Sequence, residues 1–265
     1  MHPESYPTTA LYRSTTTQEL PLSPSERSFP LNDQTTQEVL SEIGPWLSEE
    51  FIKTHRSNSK KISSLRNVNI NPFLLRYLAK LAYGDATTKS MAKVIVYTRA
   101  LGSSPSTTFG NAMRKFCTTN LADRVTNFEG TEADVEYYDF IDNKTNWARL
   151  RLGPDNMNSR TAKDFIRDFI SLEKSNPKAE NSCVVGVLYG DKDSINASFR
   201  SLSDRGIPVY VGPDFWHRIT GDPKFYQKLV AEIETILDNV TDSYLDDVVS
   251  NLEKELNLDP DYSGK

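Results

Sequence analysis

The run ADVEYYDFIDNKTNWARLRL, residues 133–152, decides the fold. Asp134, Glu136 and Tyr138 alternate with Val135, Tyr137 and Asp139, and Trp147, Arg149 and Arg151 alternate with Ala148, Leu150 and Leu152. A period of two is the mark of paired strands. Asp142-Asn143 can supply the positive φ values of a tight two-residue turn, which places the turn there. Counting outward, Asn143 opposes Asp142, Arg149 opposes Glu136 and Arg151 opposes Asp134. The spacing therefore predicts two carboxylates facing two guanidinium groups on one face of a hairpin.

Charge spacing alone leaves two readings of that face. In one, these are cross-strand ion pairs in water, each contributing roughly 0.2–1 kcal/mol. In the other, the acids form a divalent-metal site and the arginines beside them hold a phosphate.

Downstream of the hairpin, Gly153-Pro154 ends the second strand and a polar turn, residues 155–159, leads into a helix with the stripe Ala162, Phe165, Ile166, Phe169, Ile170. Residues 184–189 are almost wholly apolar and close on Gly190, the pattern of a central strand covered on both faces. A short helix is expected over 195–202. A further strand follows over 207–211, where Pro208 favours an edge. This alternation predicts an α/β fold with a mixed central sheet flanked by helices. The segment GPDFWHRITGD, residues 212–222, precedes two helices expected over 223–238 and 242–257. In it, His217 beside Arg218 is a candidate proton donor or phosphate contact, although a structural histidine among aromatic residues is the more ordinary reading.

Upstream, residues 1–35 are rich in Ser, Thr and Pro without a hydrophobic period, which predicts a disordered arm. From Thr36 the apolar residues Val39, Leu40, Ile43, Trp46, Leu47, Phe51 and Ile52 recur at helical spacing, with Gly44-Pro45 expected to split or kink the element. Residues 55–67 read as a loop or an exposed helix end. Asn71-Pro72 is a helix start, with Phe73, Leu74, Tyr77, Leu78 and Leu81 as its apolar stripe and Gly84 as its stop. A second helix starts near Thr87 or Thr88 and buries Met91, Val94 and Ile95. Residues 98–107 form a hydroxyl-rich loop that opens a helix through Phe109, Met113 and Phe116. Free backbone N–H groups and hydroxyls of this kind suit phosphate oxygens, though capped loops use the same residues.

The chain of 265 residues carries a net charge of −5, but the charge is unevenly placed. Residues 52–117 hold twelve Lys and Arg against the single acid Asp85, while residues 222–265 hold eleven acids and four lysines. Such a basic region permits a polyanion partner; the alternative is that the two regions simply attract each other. The expected organisation is a disordered arm over 1–35, a helical, basic region over 36–120 suited to a polyanion, and an α/β core with acidic C-terminal helices over 121–265. No apolar run is long enough to cross a membrane, and no secretory or transit leader is expected. Cys117 and Cys183, the only cysteines, are expected to be buried free thiols in a reducing, cytoplasmic setting. No zinc spacing, Walker loop or Gly-x-Ser-x-Gly turn is present.

Several long segments together, NPFLLRYLAKLAYGD, ALGSSPSTTFGNAMRKFC, ADVEYYDF, LGPDNMN, VVGVLYG and PVYVGPDFWHRITGD, resemble in order and spacing the type II restriction endonucleases that cut GGNCC-type sites, members of the PD-(D/E)XK nuclease superfamily. The resemblance spans roughly residues 69–256. It implies a restriction-endonuclease-like fold and Mg²⁺-dependent hydrolysis of duplex DNA at a short palindrome, leaving a 5′-phosphate and a 3′-hydroxyl. It also implies a homodimer within a restriction-modification system. By the same resemblance, Asp134 falls on the metal-binding aspartate, Glu136 on its neighbour, and Gly153-Pro154 on the family's Gly-Pro pair. The backbone carbonyl of Leu150 would be a further metal ligand.

The departure lies at Arg149, where the family has Gln, and at Arg151, where it has the active-site Lys. Arginine can still stabilise a pentavalent phosphate, but with a pKa above about 12 it cannot serve as general base. The expectation is a nuclease whose cleavage is impaired, or relies on an acid recruited from elsewhere, with Asp155 and Glu132 as candidates. Arg99, Arg114 and Lys115 are expected to contact the DNA backbone, with Asn156 and Asn158 reaching towards the bases. A catalytically silent DNA-binding relative is the alternative. A third reading, an interaction protein without a DNA role, explains neither the family segments nor the basic region.

Overall fold

The computed structural model describes residues 29–69, 71–240, 244–259 and 262. The arm expected over 1–35 lies outside the described residues as far as position 28. Past that point the chain is ordered sooner than expected, because Asn32 and Thr35 form a capping box that starts α1 (Asp33–Ser41). The split expected at Gly44-Pro45 is slight. Helix α2 (Ile43–Trp46) runs through a π-helical stretch, Leu47–Ile52, into α3 (Lys53–Lys60). Pro45 lies in the first turn of α2, where a missing N–H costs nothing. Residues 61–67 then make two 3₁₀ turns, so this polar stretch is a helix end.

Helix α4 (Pro72–Tyr83) is capped by the Asn71 side chain and stopped by Gly84 in the left-handed region, φ 79°. Helix α5 (Thr88–Ala100) is capped by Thr87. The hydroxyl-rich loop expected over 98–107 shrinks to Leu101-Gly102, because α6 (Ser103–Asn120) begins at once. Gly102 makes that junction possible: a Cβ there would strike the carbonyl oxygen of Thr98. Pro45 and Pro105 thus play the same part, each at the third position of its helix.

The sheet has five strands in sequence order: β1 (Val125–Asn127), β2 (Val135–Asp139), β3 (Lys144–Arg151), β4 (Ser182–Val187) and β5 (Val209–Val211). The first three are antiparallel. Two crossovers, through α7 (Ser159–Ser175) and α8 (Ala197–Ser203), make β4 and β5 parallel to β3. The α/β fold read from the sequence is the one formed, with β4 buried between neighbours and the Pro208-led strand at the edge. Strand β1, three residues long, is an addition to the expected sheet.

One face of the sheet, with Val135, Tyr137, Ala148, Leu150 and Val184, packs on Phe116 of α6 and on Phe215 and Trp216 of α9 (Pro213–Thr220). Gly186 admits the Phe215 ring, which a Cβ would strike. The other face, with Trp147, Val185 and Val187, packs on Phe165 and Phe169 of α7 and Phe199 of α8. Helix α10 (Phe225–Asp238) covers the first face further out. Cys117 and Cys183 are buried free thiols, as expected.

A third core sits among the helices alone. Leu75 and Ala79 of α4, and Met91, Val94 and Ile95 of α5, meet Val248, Leu252 and Leu256 of α11 (Tyr244–Leu258). The acidic C-terminal helix therefore packs on the basic helical region, and Glu255 accepts the Leu65 N–H at 2.7 Å. The contact between the two regions is made by apolar side chains and by this acid-to-backbone hydrogen bond. Most of the stripe predicted for α4 faces solvent, however. Phe73, Leu74, Tyr77 and Leu81 are 86, 50, 61 and 69% exposed.

Candidate active site

Asp139 sets the hairpin turn. Its Oδ1 accepts the N–H groups of Ile141 and Asp142 at 2.9 and 3.1 Å, which closes a four-residue loop, 140–143, between Asp139 and Lys144. Asn143 takes the positive φ expected of it, 52°. The longer loop moves the register by two residues from the expected one. Glu136 now pairs with Trp147 and Val135 with Ala148, which leaves Arg149 across from Asp134 and Arg151 beyond the end of β2. A shift of two keeps every side chain on its face. The four charged residues thus share a face as expected, but in different pairs.

Asp134 sits just before β2 with its side chain only 13% exposed, and every neighbour of its carboxylate is a donor. Oδ2 accepts the backbone N–H of Leu150 at 2.7 Å and lies 3.5 Å from Nη2 of Arg114 on α6. Oδ1 lies 3.4 Å from Nη1 of Arg149. Arg149 reaches further: Nη2 donates to Oδ2 of Asp168 on α7 at 2.9 Å and to the Thr131 carbonyl. The Phe165 ring lies under both arginines, 5.2 Å from the Arg149 guanidinium carbon and 4.5 Å from that of Arg151. Sequence reasoning misses Asp168. Its signal is weak, a polar position beside the α7 stripe, three residues after Phe165.

Arg151 differs from its neighbours. Its side chain makes no hydrogen bond or ion pair with any described residue, and its Nε is buried without a partner. Burial holds its pKa below the usual arginine value; Asp134 opposes that, while Arg114 and Arg149 add to it. The guanidinium lines two adjoining clefts. One is walled by Ser106, Thr107, Asn111, Arg114 and Asn156, the other by Asp155, Asn156, Asn158 and Thr161. Unspent positive charge beside hydroxyl and amide groups is the chemistry that receives a phosphate oxygen.

The remaining candidates fall in several places. Glu136 turns away from Asp134 and accepts from the Asn181 side chain at 2.8 Å. Leu150 gives Asp134 its N–H, on the side of β3 that faces the segment leading into β2. Asp155 lines a cleft with Arg151, whereas Glu132 accepts the Thr131 N–H at 2.9 Å. Asn156 borders both clefts; Asn158 caps α7 by accepting the Thr161 N–H at 2.9 Å. Lys115 pairs with Glu50 at 2.5 Å in a neighbouring groove, and Arg99 donates to the Asn69 carbonyl at 3.3 Å on the far side of α5. His217 is half-buried near the end of α9, away from these contacts. Beside it, Arg218 carries a structural role that the sequence does not reveal. It bonds Asp139 at 2.9 Å, Asp142 at 3.0 Å and Asp214 at 3.2 Å, stacked 3.8 Å from the Tyr210 ring.

A Mg²⁺ ion asks for about six oxygen ligands at roughly 2.0–2.1 Å. Among the described residues no three His, Cys, Asp or Glu side chains converge, and both oxygens of Asp134 face cations or N–H groups. Two unit charges 4 Å apart interact by about 4 kcal/mol at an effective dielectric of 20, and a divalent ion beside Arg149 doubles that as repulsion. The residues present do not fit the metal that the sequence resemblance implies.

Residues 46–239, well over half of the chain, match the family model of the type II restriction endonuclease EcoO109I. No curated protein matches the chain.

Proposed function

The chain belongs to the family of the type II restriction endonuclease EcoO109I, enzymes that act on DNA at specific sites, and from that premise we propose that it recognises a short GGNCC-type palindrome as a homodimer but cuts it poorly. The observation that carries this reading is Arg151: a half-buried guanidinium without a hydrogen-bond partner, its Nε fully enclosed, opening on two clefts, next to a carboxylate already neutralised by Arg149 and Arg114.

Arg151 and Arg114 would bind the non-bridging oxygens of a scissile phosphate and stabilise charge that builds on it during in-line attack. Asn111 and Asn156, on the walls of the same cleft, would orient the backbone. Asp134 is the acid beside them that could help a water molecule attack, and its donors compete with that task. Binding is thus retained while hydrolysis loses its positioning and its base. The family's cleavage generally uses a divalent ion, which the donors around Asp134 do not accommodate. The exposed α4 stripe, continuous and apolar, supports pairing of two copies across a two-fold axis, the symmetry a palindrome presents.

The test is a duplex retention assay with a GGNCC oligonucleotide and a scrambled one, run beside a supercoiled plasmid digest in Mg²⁺ or Mn²⁺. Selective retention with the plasmid largely intact is expected, and R151A should weaken retention roughly 10- to 100-fold, the loss of one charged hydrogen-bonded contact. The pair R149Q and R151K together should raise plasmid cleavage. Equal retention of both duplexes would refute the recognition reading, and rapid cutting by the parent would refute the impairment.

A further inference from the structure

Arg149 is held as a metal ion would be. Its guanidinium touches three oxygens from two segments: Oδ1 of Asp134 at 3.4 Å and the carbonyl oxygen of Thr131, both in the loop before β2, and Oδ2 of Asp168 on α7 at 2.9 Å. Carboxylate and carbonyl oxygens are the donors that hard divalent cations select. The side chains involved are largely buried, with Arg149 16%, Asp134 13% and Asp168 21% exposed. The Phe165 ring supports the guanidinium from one side.

We propose that Arg149 is a built-in cation standing in the place of the family's metal, so that the chain takes no divalent ion at Asp134, and that removing the guanidinium uncovers a divalent-cation site on Asp134 and Asp168. The inference deepens the functional reading above and rests on it, since it adds to the missing base a second cause of impaired cutting, a charge the protein carries permanently. An ammonium keeps the charge and excludes the ion; an uncharged side chain of similar length opens the site. Arg149 would thereby decouple DNA retention from divalent ions, because the positive charge that steadies this face is always present.

The experiment titrates Mn²⁺ into the full chain, without DNA, and follows the loss of the free-ion signal by electron paramagnetic resonance. The parent should show no saturable site that depends on Asp134. R149M, whose stem still covers Phe165, and R149Q should each gain one saturable site, at least roughly tenfold tighter than any binding by the parent, whereas R149K should behave as the parent. Adding D134N or D168N to R149M should abolish the gain. Saturable Mn²⁺ binding by the parent that D134N removes would overturn the proposal, whatever the variants do. So would folded R149M and R149Q variants that bind like the parent, or a gain that survives D168N. Failure of DNA retention, by contrast, would leave this titration untouched and count only against the functional reading.

Discussion

Asp139 is the most deeply placed charge in the described structure, fully buried at the end of β2 among Tyr137, Asn146 and Arg218. Burial alone would lower the Arg218 pKa, but the hydrogen bond and charge of Asp139 outweigh it and hold the guanidinium above its usual range. Stripping one partner from a buried pair leaves the other charge uncompensated, at about 3–5 kcal/mol. R218M should therefore lower the unfolding free energy by about that amount in urea denaturation. Adding D139N should cost far less than the sum of the two single changes. This pair is hard to see in the sequence, where Asp139 looks like the end of an alternating strand and Arg218 like a neighbour of a more noticeable histidine. The same blindness hides Asp168. Partners brought together by tertiary packing leave no spacing signal, whereas Asp134, Arg149 and Arg151 are legible because one hairpin carries them all.

At the scale of elements, helices α1 and α10 are joined through Asp222. Its carboxylate accepts the Lys224 N–H at 2.8 Å, the Lys228 ammonium at 3.0 Å and the Thr36 hydroxyl at 3.2 Å. Burial pushes its pKa up, but these donors prevail and hold it below the usual carboxylate value. A folded pKa below the unfolded one gives stability that is complete above about pH 4 and drains away as the pH falls through the lower folded value. D222N should flatten the acid limb of a stability-against-pH curve below about pH 4, seen as a smaller difference between urea midpoints at about pH 4 and about pH 2.5. An unchanged limb would mean that the carboxylate charge does not fasten α1.

Elements are also where the sequence is most and least readable. Strands β2 to β5 fall where their apolar patterns put them, while β1, at three residues, is too short to show a period. The hairpin register slips by two because Asp139 caps a longer loop than Asp142-Asn143 alone suggests, and periodicity cannot sense loop length. Helix α4 presents its aromatic residues outward for a related reason: a helical stripe shows which residues share a face, not which face the core takes. Leu75 and Ala79 face inward instead, against α5 and α11.

For the whole molecule, the proposed pairing of two copies turns on that outward face of α4. Placing acids in it, as F73E with Y77E, should convert a dimer to a monomer in light scattering coupled to gel filtration, because like charges would then meet across the two-fold axis. The change should leave circular dichroism unaltered, since Phe73 and Tyr77 are 86 and 61% exposed and support no core. A mass unaffected by the double substitution would move the contact elsewhere. The fold class and most of the sheet are legible at this scale; the helical region's third core is not, because it closes with residues distant in the chain.

That closure has a consequence for synthesis. Leu75 and Met91 share a core with Leu252 and Leu256 of α11, so a chain still growing on the ribosome holds its basic helices with their inner sides bare until the segment carrying those two leucines has emerged. The helical layer thus matures late, after the strands of the sheet have already been made.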